Sequence, residues 1–517
     1  MRISTYEIIL PLTGKDERSI KTHALLINGL YGAFDVVKKD ESEKISNEDF
    51  TNLHPKLLER LELRGHITKK DESEEFADMK ILSRIYKKIY AKLVVSPVIM
   101  PTYDCNFRCP YCYEQHRLKN GQEWLERKMS AATMDAIFSA LKDYKNRGYI
   151  LGGCTLYGGE PLLKENVEVV GKIAEHCLEL GMKMDAVTNG YDLDAYLDLL
   201  EKFKIERLQV TVDGTAKIND RRRIHKNGGG SYERILKNVE SALARGIKIS
   251  LRVNVGRENL HDMRNLIDDL TARGFIDNEN FYYYFKAAND DINPKNNVSE
   301  QNIIDELMKT GFTAAEAIEH QSQYNLPAKR ISQLFKKESF SDFSTSYCGS
   351  EGQMLVIDPS GRIFTCWDLV GIKANEVGFV DIEKGKILWQ LLKAKWNTRT
   401  SDSIEKCKTC PYVFFCKGGC AARADYEHKS FFREHCGESQ STFNFVASRL
   451  AGAFWNKNHQ EELSISLAEV LNRLTDAERE TLMTTQSRNE ILNIIKGIGL
   501  SIGKIADNAI LKGGLPM

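Results

Sequence analysis

The sequence lacks a long apolar run. No stretch of its 517 residues approaches the roughly 20 apolar residues that a membrane-spanning helix needs, so no membrane partner is expected. It also lacks net charge. Lys and Arg together number 72, and so do Asp and Glu, which favours neither nucleic acid nor an anionic membrane surface as a partner. The stretch Met1-Arg2-Ile3-Ser4-Thr5-Tyr6-Glu7 has no apolar signal core, and the expected location is cytoplasmic. There disulfides are rare, so the twelve cysteines point to metal or redox chemistry. No repeat of fixed period is present. The chain is long enough for about three domains, and 28% charged with 42% hydrophobic residues is ordinary for soluble proteins.

The cysteines are grouped. Three stand in Tyr103-Asp104-Cys105-Asn106-Phe107-Arg108-Cys109-Pro110-Tyr111-Cys112-Tyr113, spaced C-x3-C-x2-C. Seven lie between Cys348 and Cys436, and Cys154 and Cys177 stand apart as expected core thiols. Structural zinc wants four ligands, usually two close pairs. Fully ligated electron-transfer clusters also use four cysteines. Three close thiolates can instead grip three irons of a [4Fe–4S] cube, leaving the fourth iron free for another ligand.

From Lys92 to about His320 strand and helix patterns alternate. Strands are expected at Leu93–Pro101, Ile150–Leu156, Lys183–Val187, Arg207–Val212, Lys248–Val255 and Phe281–Lys286. Helices are expected at Ala131–Tyr144, Val167–Leu180 and Tyr232–Arg245. Such βα units predict a parallel sheet with helices outside, and six units fit a partial (β/α)6 barrel. Sites in full (β/α)8 barrels sit at the C-terminal strand ends. At such ends stand Tyr157-Gly158-Gly159-Glu160-Pro161, Thr188-Asn189-Gly190 and Thr211-Val212-Asp213-Gly214, followed by Asn219-Asp220-Arg221-Arg222-Arg223 and a Gly-rich loop. Arg252 and Asn254 share one face of the fifth strand. Tyr282, Tyr283 and Tyr284 are expected to pack.

The triad with an aromatic before its last cysteine, and the Gly-Gly-Glu turn one βα unit later, resemble the radical S-adenosylmethionine (SAM) superfamily. The resemblance implies a [4Fe–4S] cluster on Cys105, Cys109 and Cys112 whose open iron chelates SAM. One electron then cleaves SAM to a 5′-deoxyadenosyl radical. It implies SAM contacts at Tyr111, Gly158, Gly159, Glu160, Asn189, Thr211, Asp213 and Arg223. Asp220 and Arg223 match an Asp-x-x-Arg element that often has His before the Asp; here that residue is Asn219.

The order Cys348, Gly361, Cys366, Cys407-x2-Cys410-x5-Cys416-x3-Cys420, Cys436 is similar to the SPASM extension of peptide-modifying radical SAM enzymes. That resemblance implies two further [4Fe–4S] clusters, three in all. Cys407, Cys410, Cys416 and Cys436 would hold one. Cys348, Cys366 and Cys420 would hold the other, with one iron lacking a cysteine. A zinc ribbon is the alternative, although only one C-x2-C pair is present.

The expected domains are 1–90, an α+β module like a winged helix; 91–330, the partial barrel; 340–440, the cysteine-rich auxiliary domain; and 441–517, a helical extension with a Gly-rich tail, Lys512–Pro516. In the first, Tyr6–Leu10 reads as a strand, His23–Val37 as a hairpin, Asn47–Leu63 as helical and Asp71–Glu75 as a solvated turn. The module resembles the peptide-recognition domain of related enzymes, where a leader peptide adds a strand. The implied activity is hydrogen abstraction from a ribosomally made precursor peptide or protein substrate. It would end in a thioether or carbon–carbon crosslink, with a flavodoxin- or ferredoxin-type electron donor. Within the family the alternative is sulfatase-maturase-like oxidation of Cys or Ser to formylglycine. Those enzymes place an Asp where this chain has Trp367, with Asp368 one further on. Outside the family the alternative is a non-catalytic metal-binding scaffold.

Overall fold

The computed structural model describes residues 1–14, 18–89, 94–112, 114, 127–288, 293–322, 345–352, 354–458 and 467–497. Tyr113 and the tail Lys512–Pro516 lie outside the described residues. Contacts divide the chain into two units. One comprises Met1–Lys92, Tyr324–Glu351 and Asn397–Pro516; the other comprises Leu93–Gln323 and Gly352–Trp396.

In the first unit, β1 (Arg2–Ile3) pairs with β5 (Ile67–Thr68). Strands β2 (Glu7–Thr13), β3 (Ser19–Asn28) and β4 (Ala33–Lys38) form an antiparallel sheet. The β3–β4 turn closes where the Gly32 N–H donates to the Asn28 carbonyl at 2.9 Å, with Gly32 at φ 69°. Helix Pro55–Arg64 starts with proline in its first turn and ends at left-handed Gly65, the expected asymmetry of helix termini. Its Leu61 packs with Leu26, Val37, Ile45, Leu53 and Ile67.

Two features differ from the sequence reading. Asp71–Glu74 are solvent-exposed as expected, but the segment is not a turn: helix Glu72–Ile89 begins there, its start fixed by the Glu74 N–H donating to the Asp71 carboxylate at 2.9 Å. Glu75 is buried and pairs with Arg2 at 2.6 Å. In addition, residues after 441 share a core with this module. Leu471, Leu474, Leu482, Ile491 and Ile495 pack with Met79, Leu82 and Ile85 of helix Glu72–Ile89, and Arg479 pairs with buried Asp78 at 2.5 Å. Helix Ser439–Asn458 lies along the outer edge of β2. There Ser448 donates to the Pro11 carbonyl, and Gly452 crosses the Thr13 backbone too closely for any Cβ.

In the second unit six parallel strands run in the order β12 (Phe281–Ala287), β11 (Ile249–Val255), β10 (Arg207–Val212), β9 (Met184–Thr188), β8 (Cys154–Leu156) and β6 (Val94–Ile99); β7 (Ile150–Leu151) also pairs with β6. This is the expected parallel sheet of a partial barrel. The helices Ala131–Asn146, Val167–Leu180 and Tyr232–Ala244 fall where the patterning placed them.

The two faces of each strand differ. Leu208, Val210, Leu251, Val253 and Phe285 are buried and apolar. On the other face, register places Gln209, Ser250 and Tyr282 in one row and Thr211, Arg252 and Tyr284 in the next. No strands were expected from the sequence within 340–440. Instead β13 (Met354–Ile357) adds to β6 in parallel, and β14 (Arg362–Phe364), β15 (Gly378–Asp381) and β16 (Lys386–Trp389) continue antiparallel. These strands are only three or four residues long, too short to show a period.

Candidate active site

The triad follows β6, and its loop is built against the loop after β8. The Glu160 N–H donates to the Asp104 carbonyl at 2.8 Å and the Gly159 N–H to the Thr102 carbonyl at 3.4 Å. A Cβ on Gly158, which has φ 131°, would stand 2.5 Å from the Thr102 carbonyl oxygen, and one on Gly159 would stand 2.7 Å from the Asp104 carbonyl carbon. Only glycine permits this approach of two backbones. Tyr103 anchors the base of the loop through its hydroxyl, which donates to buried Asp358 at 2.9 Å.

Glu160 ties strand ends together. Its carboxylate accepts from the Leu162 N–H at 2.9 Å, the Thr188 hydroxyl at 2.6 Å and the Asn189 N–H at 2.6 Å. Burial pushes its pKa up to about 7 against these bonds. Asn189 then reaches the triad. Its amide donates to the Asn106 side-chain oxygen at 2.6 Å and approaches the Cys105 sulfur at 3.9 Å.

Arg223 approaches the triad along another path. It donates to the Tyr111 hydroxyl at 3.0 Å and lies 5.5 Å from the Phe107 ring centroid. Its neighbour Arg222 stacks on the Tyr111 ring at 4.8 Å and donates to Asp213 at 3.0 Å. Arg223 Nε and one Arg222 Nη are buried with no hydrogen-bond partner among the described residues.

Asp220 serves the fold. It accepts from the Ser231 and Tyr232 N–H groups at 2.8 and 2.9 Å, at the start of helix Tyr232–Ala244. Asn219, in the position where His was expected, accepts from the Asp213 N–H at 3.1 Å. Thr211 shares its row with Arg252, which donates to Asn254 at 2.9 Å. Tyr284 donates to Gln209 at 2.8 Å on the same face, whereas Tyr283 stacks on His320 at 4.0 Å.

The three thiols suit a cationic cluster. Burial raises Cys105, Cys109 and Cys112, the last to about 12, and the neighbouring thiols raise Cys105 and Cys112 further. Thiolates so placed need compensating positive charge, which iron supplies, and Arg223 lies near enough to favour the ionised Cys109.

Among the seven remaining ligand candidates, Cys407, Cys410, Cys416 and Cys436 lie within mutual electrostatic reach. Burial, and then the neighbouring thiols, raises the first three. Cys348 is raised to about 12 by burial, with Glu351 and then Cys420 contributing. Cys366 belongs to the other unit. Among the described residues no three Cys, His, Asp or Glu side chains converge tightly enough to hold one metal ion. Thiolates on a cube bind separate irons and stand further apart than ligands of one ion. Cys154 and Cys177 are free, buried thiols that share a hydrogen bond in the core.

Residues 99–270 match the Radical SAM superfamily. The chain carries a radical SAM domain.

Fe-coproporphyrin III synthase of Methanosarcina barkeri is 24% identical over 168 residues, 32% of this chain and 38% of that protein. GTP 3′,8-cyclase of Synechocystis sp. is 31% identical over 180 residues, 32% of this chain and 47% of that protein. The chain spans about half the length, or less, of these curated relatives. The solved anaerobic sulfatase-maturing enzyme anSMEcpe, with bound AdoMet and Cp18Cys peptide, aligns with a TM-score of 0.52 at 15% identity, covering 71% of this chain and 99% of that one. It shares the fold. Among the described residues no helix is long and apolar enough to cross a membrane.

The structure brings together the triad, the Gly-Gly-Glu turn and Arg223 that the sequence named as candidates. The sequence reading missed Tyr103–Asp358, Arg222 and the stacking of Trp367 on Tyr157 at 5.2 Å. These are long-range pairs with no spacing to betray them.

Proposed function

We propose that this protein modifies a peptide, abstracting hydrogen from a ribosomally made precursor and closing a thioether or carbon–carbon crosslink. The observation that carries the radical chemistry is the convergence of the half-buried triad, the Gly158-Gly159-Glu160 turn and an Arg223 with an unsatisfied Nε. Bound cluster and SAM would together supply one-electron cleavage of the SAM sulfonium.

The protein's residues have separate tasks in this reading. Cys105, Cys109 and Cys112 would hold the cluster. Arg223 would pair with the SAM carboxylate, the match an arginine fork provides. Tyr111, held between Arg222 and Arg223, would fix the loop beside the ligand. Thr211, Arg252 and Asn254 offer a polar row to ribose or substrate.

A peptide substrate is supported by the antiparallel module at the N-terminus and by the peptide bound in anSMEcpe. Cys407, Cys410, Cys416 and Cys436 would hold an auxiliary cluster that accepts an electron from the substrate radical. The formylglycine reading is weaker, because Trp367 stands in the base position and stacks on Tyr157.

The test is anaerobic incubation of reconstituted protein with SAM, dithionite and the peptide encoded beside its gene. Loss of a hydrogen pair with a new crosslink in fragment spectra supports the proposal. An aldehyde at Cys or Ser would replace it with the formylglycine reading.

A further inference from the structure

Arg399 is fully buried, in the same unit as Cys348, Cys407, Cys410, Cys416, Cys420 and Cys436. Its guanidinium joins segments that are far apart in sequence. Nε donates to the Phe431 carbonyl at 2.6 Å. One Nη donates to the carbonyls of Gly418 at 3.0 Å and Arg433 at 3.3 Å. The other pairs with the Glu351 carboxylate, which also accepts from the Tyr347 N–H at 2.7 Å.

Every segment so gripped carries a cysteine. Glu351 follows Cys348, Gly418 lies between Cys416 and Cys420, and Phe431 and Arg433 precede Cys436. The Gly418 segment needs such a grip. Lys417, Gly418 and Gly419 all have positive φ, at 56°, 80° and 71°. For Lys417 that conformation persists only when its surroundings over-determine it. The His435 N–H also donates to Gly418, at 3.0 Å. Arg399 and Cys407 also flank the same residue: a Cβ on Gly418 would meet an Arg399 Nη at 3.7 Å and the Cys407 sulfur at 3.8 Å.

We propose that Arg399, counterbalanced by Glu351, is the positioning residue of the cluster held by Cys407, Cys410, Cys416 and Cys436 and tunes that cluster's reduction potential. The inference rests on reading those cysteines as iron–sulfur ligands. Reduction adds a negative charge to a cluster. A buried cation nearby favours the reduced state, and a buried carboxylate disfavours it. A lysine could keep the charge but not the fork that spans four acceptors.

The experiment uses full-length holoprotein carrying Cys105→Ala, Cys109→Ala and Cys112→Ala, so that only the later cysteines contribute signal. Iron per chain, iron release to a chelator and the midpoint potential from an electron-paramagnetic-resonance titration are measured. Glu351→Gln is expected to raise the potential. Arg399→Gln is expected to lower it and to speed iron release about tenfold or more. Arg399→Lys is expected to speed release while leaving the potential near that of the parent.

Potentials that stay at the parent value, or that move the same way in Glu351→Gln and Arg399→Gln, overturn the inference. So does unchanged iron release in both Arg399 variants. Parent protein that binds no iron overturns the auxiliary-cluster reading and the inference with it. If the Arg399 variants fail to fold, Glu351→Gln alone decides through the sign of its shift.

Discussion

Replacing Gly159 with alanine puts the site's construction to its hardest test. A methyl there would lie 2.7 Å from the Asp104 carbonyl carbon, against the 3.4 Å of ordinary contact. The obstacle is backbone, not a side-chain tip that can swing aside, so the loops must part by at least the 0.7 Å difference. Overpacking of this kind costs about 1–3 kcal/mol. Loss of the Glu160 N–H bond to Asp104, 2.8 Å long, costs about 1 kcal/mol more. The expected destabilisation is therefore roughly 2–4 kcal/mol. Misplacement by about 1 Å lowers rates by about a hundredfold, so SAM cleavage should fall much further than stability. The assay pairs denaturant unfolding with 5′-deoxyadenosine formation by anaerobically reconstituted protein. Gly171→Ala is the control. Gly171 lies inside helix Val167–Leu180, where a new Cβ meets only Leu199 at 3.4 Å, and the change should be neutral or stabilising by up to about 1 kcal/mol. Gly159→Ala protein within about 0.5 kcal/mol of wild type and with full SAM cleavage would refute the argument that the two loops meet backbone to backbone.

Three further outcomes are expected. His66 is buried between Glu7 at 2.9 Å and Asp35 at 2.7 Å; burial opposes its charge, but the two carboxylates outweigh it and raise its pKa to about 9. Its contribution, roughly 3 kcal/mol, is therefore whole below the ordinary 6.5 and lost as pH rises through about 9, and urea midpoints that stay flat over that window would contradict this. Arg223→Lys should weaken SAM binding about tenfold by equilibrium dialysis while leaving the unfolding midpoint nearly unchanged; unaltered affinity would remove Arg223 from the ligand site. Tyr103→Phe should cost about 1 kcal/mol in denaturant unfolding, because Asp358 keeps its contact with Arg362 at 3.1 Å, and a neutral change would show that the Tyr103 hydroxyl anchors nothing.

The barrel was legible because most of its strands and helices are long enough to show a period, and Arg207–Val212 and Val167–Leu180 fall where the pattern put them, whereas the expected strand Ile150–Leu156 is split into Ile150–Leu151 and Cys154–Leu156. The triad was legible because thiolate chemistry resides in residue type and spacing. Arg399 left no trace, since an isolated arginine in sequence is ordinarily a solvated charge, and its importance comes from four acceptors brought together by folding. Asp71–Glu75 misled because an acidic cluster reads as a turn, yet acidic residues also favour a helix's first turn; only Glu75 leaves solvent, to pair with Arg2 across the module. The packing of residues 467–497 on helix Glu72–Ile89 was invisible because its partners are separated by nearly the whole chain.

The central claim is that Cys105, Cys109 and Cys112 support reductive cleavage of SAM. The direct measurement is 5′-deoxyadenosine formed from SAM and dithionite by anaerobically reconstituted protein with its peptide, against a Cys105→Ala, Cys109→Ala, Cys112→Ala control. Product from the wild type and none from the control is the predicted result. No product from wild-type protein shown to hold its iron, or equal product from both, would contradict it.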